Sequence, residues 1–88
     1  MDNGQLIALG KLLPKGAVEA CSKMSADWQF PGKNTFNSNG AWSLCHHKLR
    51  VDFAHKQLLP HGKKKRVAYA LTDLGVQLKQ LILEGRLA

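Results

Sequence analysis

The stretch from His55 to Gly75, HKQLLPHGKKKRVAYALTDLG, does most to limit what this chain can fold into. Leu58-Leu59 and the alternating run Val67 to Leu71 flank Pro60-His61-Gly62 and four consecutive cations, Lys63, Lys64, Lys65 and Arg66. Apolar runs on either side of turn residues predict a β-hairpin with a basic tip. Thr72 then stands before Leu74, Leu78, Leu81 and Ile82, the form of a capped amphipathic helix. Gly75, in the first turn of that helix, suits a close approach to the sheet. A two-stranded hairpin is marginal in water by itself. The remaining sequence must therefore supply helices that cover one of its faces.

Charge singles out the same region. The chain carries a formal net charge of +7 over 88 residues, a length that predicts one domain. Between Cys45 and Arg66 seven cations face one acid, Asp52, so +6 of the excess sits there and +1 in the rest. Concentrated positive charge is the footprint of a phosphate-bearing partner. The apolar fraction of 44% argues for a folded domain. No apolar run approaches the roughly 18 residues of a membrane span. MDNGQLIALGKLL starts with an acid and is interrupted at Gly10 and Lys11, unlike a secretory signal. Cys21 and Cys45 read as reduced packing residues, so the expected location is the cytoplasm, without a membrane partner.

Upstream, Asp2 or Asn3 caps a first helix with Leu6, Ile7, Leu9 and Leu13 on its apolar face, predicted over about 3–13. Pro14-Lys15-Gly16 breaks it. Ala17, Val18, Ala20, Cys21 and Met24 predict a second helix over about 16–24, with Glu19 and Lys23 paired four residues apart. Residues 25–37 hold no sustained period and contain Pro31-Gly32, so they read as an irregular link. Trp28, Phe30 and Phe36 within it are expected to anchor the link to the core, with a nucleotide stack on Trp28 as the alternative. A third helix is predicted over about 38–54, capped by Asn37 or Ser38. At 100° per residue Ala41, Trp42, Cys45, Leu49 and Phe53 share one side, and Asn39, Ser43, His46, His47 and Arg50 another. The expected elements end with a wing over 57–71 and a C-terminal helix over 72–84, beyond which Gly85 to Ala88 should fray.

The order is three helices, a basic two-stranded hairpin and a final helix: mainly α with a small β-hairpin, an α+β fold. This arrangement resembles a winged helix-turn-helix domain. Tyr69-Ala70-Leu71-Thr72-Asp73-Leu74-Gly75 is similar to the Y-x-L-T-x-x-G signature that closes the wing in MarR-type and PadR-type bacterial regulators. The specific likeness covers about 58–78 and is architectural before that. It departs from those families in the dozen or so residues between the second and third helices, and in Gln57 where a glycine often precedes the first strand. The resemblance implies that the third helix is the recognition helix and Lys63 to Arg66 the wing. It implies no catalytic residue.

Double-stranded DNA is thus the expected partner. The third helix would enter the major groove, directing Asn39, Ser43, His46, His47 and Arg50 at base edges or phosphates. Arg50 suits guanine and Asn39 adenine; replacing Arg50 by Ala should cost discrimination worth about 1–3 kcal/mol at one position. His61, Lys63, Lys64, Lys65 and Arg66 form the wing set, and losing its four consecutive cations should flatten the salt dependence by about 3–4 log units per log unit. The alternatives are a winged-helix module that binds an acidic or apolar protein surface, and an RNA-binding protein. Homodimerisation through Leu74, Leu78, Leu81 and Ile82 is also open. Cys45, His46 and His47 would point in three directions on a helix, and no C-x-x-C or H-E-x-x-H occurs, so no metal or other cofactor is expected. No motif sets a nucleophile beside a base, and no enzymatic activity is expected.

Overall fold

The computed structural model describes residues 1–45 and 51–87. Its elements are α1 (Asn3–Leu12), α2 (Lys15–Lys23), α3 (Ser38–Cys45), β1 (Ala54–His61), β2 (Lys64–Leu71) and α4 (Asp73–Leu83). This is a mixed α+β architecture, mainly helical, consistent with a small winged-helix-like fold.

α1, α3 and α4 each start where a side chain accepts from a free N–H group, whereas α2 starts without a side-chain cap. Asp2 and Gln5 form a reciprocal capping box at α1, with the Gln5 N–H donating to Asp2 Oδ1 at 2.8 Å and the Asp2 N–H to Gln5 Oε1 at 3.1 Å. Pro14, which has no N–H to satisfy, stands at the start of α2. Asn37 Oδ1 accepts from the Asn39 N–H at 2.8 Å and opens α3. Thr72 Oγ1 accepts from the Gly75 N–H at 3.2 Å and donates to the Asp52 carbonyl at 2.6 Å, fixing α4 to the segment that leads into β1.

The core gathers Leu6, Leu13, Cys21, Met24, Phe36, Leu44, Phe53, Ala54, Tyr69, Leu71, Leu78 and Leu81 from all the elements and from the link between α2 and α3. Two glycines allow the backbones to close. A methyl group at Gly40 would strike the Gly16 carbonyl where α3 meets α2, and one at Gly75 would strike the Phe53 carbonyl where α4 meets the start of β1. The α4 stripe is spent on this core: Leu78 and Leu81 are buried and Leu74 and Ile82 packed against it, leaving Val76 and Leu83 exposed.

Several expectations are corrected. The third helix does not run to 54: the described helix ends at Cys45, residues 51–53 are not helical, and Ala54 already pairs with Leu71. Phe53 fits the helical period of α3, but its N–H bonds the Leu44 carbonyl at 3.2 Å and its carbonyl accepts from Thr72 N–H at 3.1 Å. Those partners belong to α3 and to the cap of α4 rather than to a preceding helical turn. The hairpin accordingly begins at Ala54 instead of 57. Its turn is Gly62-Lys63, with Gly62 at φ 63°, and Lys64, Lys65 and Arg66 belong to β2 rather than to the tip. The link at 25–37 is not wholly irregular. Gln29 and Tyr69 exchange backbone hydrogen bonds of 3.0 and 2.9 Å, placing an isolated bridge on the free edge of β2. The tail after α4 is also tied down, because Gly85, at φ 73°, lets the Gly85 and Arg86 N–H groups reach the Ile82 and Leu81 carbonyls. Leu87 then packs against the core.

Candidate nucleic-acid interface

Strand alternation sorts the hairpin side chains onto two faces. The inner face, on the side of the helices, carries Ala54, Lys56, Leu58 and Pro60 from β1 and Lys65, Val67, Tyr69 and Leu71 from β2, with cross-strand pairs Lys56↔Tyr69, Leu58↔Val67 and Pro60↔Lys65. Only the end next to the helices is covered. Ala54, Tyr69 and Leu71 are buried, whereas Leu58 and Val67 remain exposed farther out. The molecule is correspondingly long, 44 × 24 × 19 Å.

The exposed side of α3 adjoins this inner face. The helix packs through Gly40, Ala41 and Leu44, which are clustered within about 100° of one another. Trp42 therefore does not lie with the packing residues as its spacing suggested. It is 50% exposed, with the Lys56 ammonium 6.0 Å from its ring centroid. Asn39 is exposed beside it, and Ser43 is half-buried with its hydroxyl donating to the Asn39 carbonyl at 3.0 Å. That bond uses the only Ser43 donor and leaves its oxygen able to accept. His46, His47 and Arg50, the other members of the predicted recognition set, lie outside the described residues. Sequence reasoning counted Lys56 in the basic stretch without assigning it to the site, and put Trp42 on the packing side. The signal that could have turned Trp42 outward was Gly40, since the close approach it permits packs α3 on α2 through Gly40, Ala41 and Leu44.

The wing set divides. Lys63 occupies the turn, Lys65 lies on the inner face, and His61, Lys64 and Arg66 lie on the outer face. All five are exposed. Arg66 is held in place: its Nη2 donates to the Pro31 carbonyl at 3.4 Å, and its guanidinium sits 5.7 Å from the Phe30 ring centroid. A cleft of about 620 Å³ opens between α2, the 31–38 segment and Arg66, with Lys23 and Lys33 on its walls. The Lys23 ammonium is paired with Glu19 at 3.3 Å.

Of the two cysteines, Cys21 is buried, whereas Cys45 ends α3 close enough to Lys56 for that charge to oppose its ionisation shift. Burial pushes the Cys21 thiol up to about 12, opposed by the nearby Lys79 charge, and the thiol donates to the Gly75 carbonyl at 3.6 Å. Burial likewise raises Cys45 to about 11. Both are therefore neutral thiols near pH 7, with packing rather than nucleophilic character. Among the described residues no three His, Cys, Asp or Glu side chains come together in a way that could hold a metal ion, and no helix is long and apolar enough to cross a membrane. Comparison with known proteins matches the chain to no family model, no curated protein and no solved structure.

Proposed function

We propose that the chain binds double-stranded DNA in the cytoplasm, as a small transcriptional regulator or accessory DNA-binding protein of the winged helix-turn-helix kind. The observation that carries this reading is the projecting hairpin beside the exposed side of α3. From Phe53 to Thr72 that segment has five cations and no acid. A major groove about 12 Å wide admits one helix. With α3 directed into it, Asn39 and Ser43 offer amide and hydroxyl groups to base edges, and Lys63 and Lys65 meet the flanking phosphates or the adjoining minor groove. The unpaired cysteines suit a reducing compartment.

The exposed Trp42, Leu58 and Val67 favour a second reading, a protein contact on the same face. Binding of the full chain to labelled duplex DNA, single strands and structured RNA at two salt concentrations separates the two. Salt-sensitive duplex binding supports the DNA reading. No binding to any nucleic acid near physiological salt leaves the protein contact.

A further inference from the structure

The outer face of the hairpin has a chemistry that duplex binding by α3 does not use. Since Gln29 pairs with Tyr69, alternation puts Trp28 across from Ala70 and Phe30 across from Ala68, on the side facing away from the helices. Ala70 pairs in turn with His55. A methyl group between two rings leaves them room to meet. Trp28 reaches over Ala70 and stacks on His55, with centroids 4.7 Å apart and planes inclined by 20°. Phe30, two residues on and so about 7 Å away along extended backbone, meets His61 edge-on at 4.7 Å and lies beneath the Arg66 guanidinium. Lys64 shares this face.

A ring whose only task is to anchor the link is buried, as Phe36 is at 2% exposure. Trp28 keeps 39% of its surface in solvent. An exposed indole on a sheet face that also carries Lys64 and Arg66 presents a π-face for a base and charge for the neighbouring phosphates, while Phe30 supports Arg66 from beneath. Within the 25–37 link the charges of Asp27 and Lys33 balance. A duplex keeps its base faces stacked inside and offers only their edges, so an open ring rewards an unpaired base.

We infer that this outer face is a stacking platform for a single-stranded polynucleotide, with a base placed on Trp28 and the adjoining phosphates held by Lys64 and Arg66. The surface is separate from the α3 side, and the inference stands or falls independently of duplex binding.

The test uses the full chain carrying Trp42→Phe, which leaves Trp28 as its sole tryptophan. It is titrated with an oligothymidylate of roughly 10 nucleotides and with the matching oligouridylate. Either strand quenching the Trp28 emission supports the platform. Trp28→Leu is expected to weaken single-strand binding by about 5- to 150-fold, whereas Trp28→Phe retains most of it. Absence of quenching by both strands overturns the inference, as does unaltered single-strand affinity in Trp28→Leu. If Trp28→Leu does not fold, the quenching experiment on the folded protein decides.

Discussion

Lys63 and Lys65 should carry the salt dependence of duplex binding, and Lys64 should not. All three belong to one run of cations, but Lys63 is in the turn, Lys65 lies on the side of α3, and the Lys64 side chain emerges from the opposite face. Each phosphate neutralised on duplex DNA contributes about 0.9 to the slope of log affinity against log salt. Lys63→Ala with Lys65→Ala should therefore flatten the slope by ~1.8. Between about 50 and 200 mM salt the parent would then lose roughly 12-fold more affinity than the double variant. Fluorescence anisotropy with a labelled duplex at several salt concentrations measures both slopes. Thermal melting confirms that these exposed substitutions leave the fold intact. Parallel slopes for parent and double variant would refute the reasoning, and so would a loss that appears in Lys64→Ala instead.

The fold makes further predictions. Gly75→Ala drives a methyl group toward the Phe53 carbonyl and should cost roughly 1–3 kcal/mol in urea unfolding. Gly16→Ala, where nothing lies within 4 Å of the new atom, should instead stabilise α2 by up to about 1 kcal/mol. Thr72→Ala removes both the α4 cap and the bond to Asp52 and should cost about 1–2 kcal/mol, with Thr72→Ser retaining most of the stability. The Cys21 thiol, raised by burial from 9.0 to about 12, favours the native state below pH 9. As pH rises from 9 toward 12 the unfolded chain ionises this thiol first, so stability falls. Cys21→Ala should fall less steeply over the same range in pH-dependent denaturation.

The hairpin and the start of α4 were legible because their signals are local. Gly62 sits at the turn and Thr72 at the cap, each demanded by the backbone within a few residues; Gly75 stands in the first turn of α4, although the Phe53 carbonyl it makes room for is distant in sequence. The end of α3 was not legible, because Phe53 fits a helical period and only its bonds to Leu44 and Thr72 place it elsewhere. A single bridge at Gln29 has too few residues to show a period, although Trp28 and Phe30 on either side of it are an alternation in retrospect. Of the candidate site, composition located the positive charge. It could not divide Lys64 from Lys65, since that depends on strand register. Nor could it turn Trp42 outward, since that depends on Gly40 meeting Gly16.

The central claim is that the α3 side of the hairpin binds duplex DNA. Amide chemical shifts of the isotopically labelled chain, followed during titration with a duplex at moderate salt, test it most directly. The account predicts changes concentrated at Asn39 to Ser43, Lys56 and Gly62 to Lys65, with α1 and the end of α4 undisturbed. Shifts confined to α1 and α4, or no shifts at saturating duplex, would contradict it.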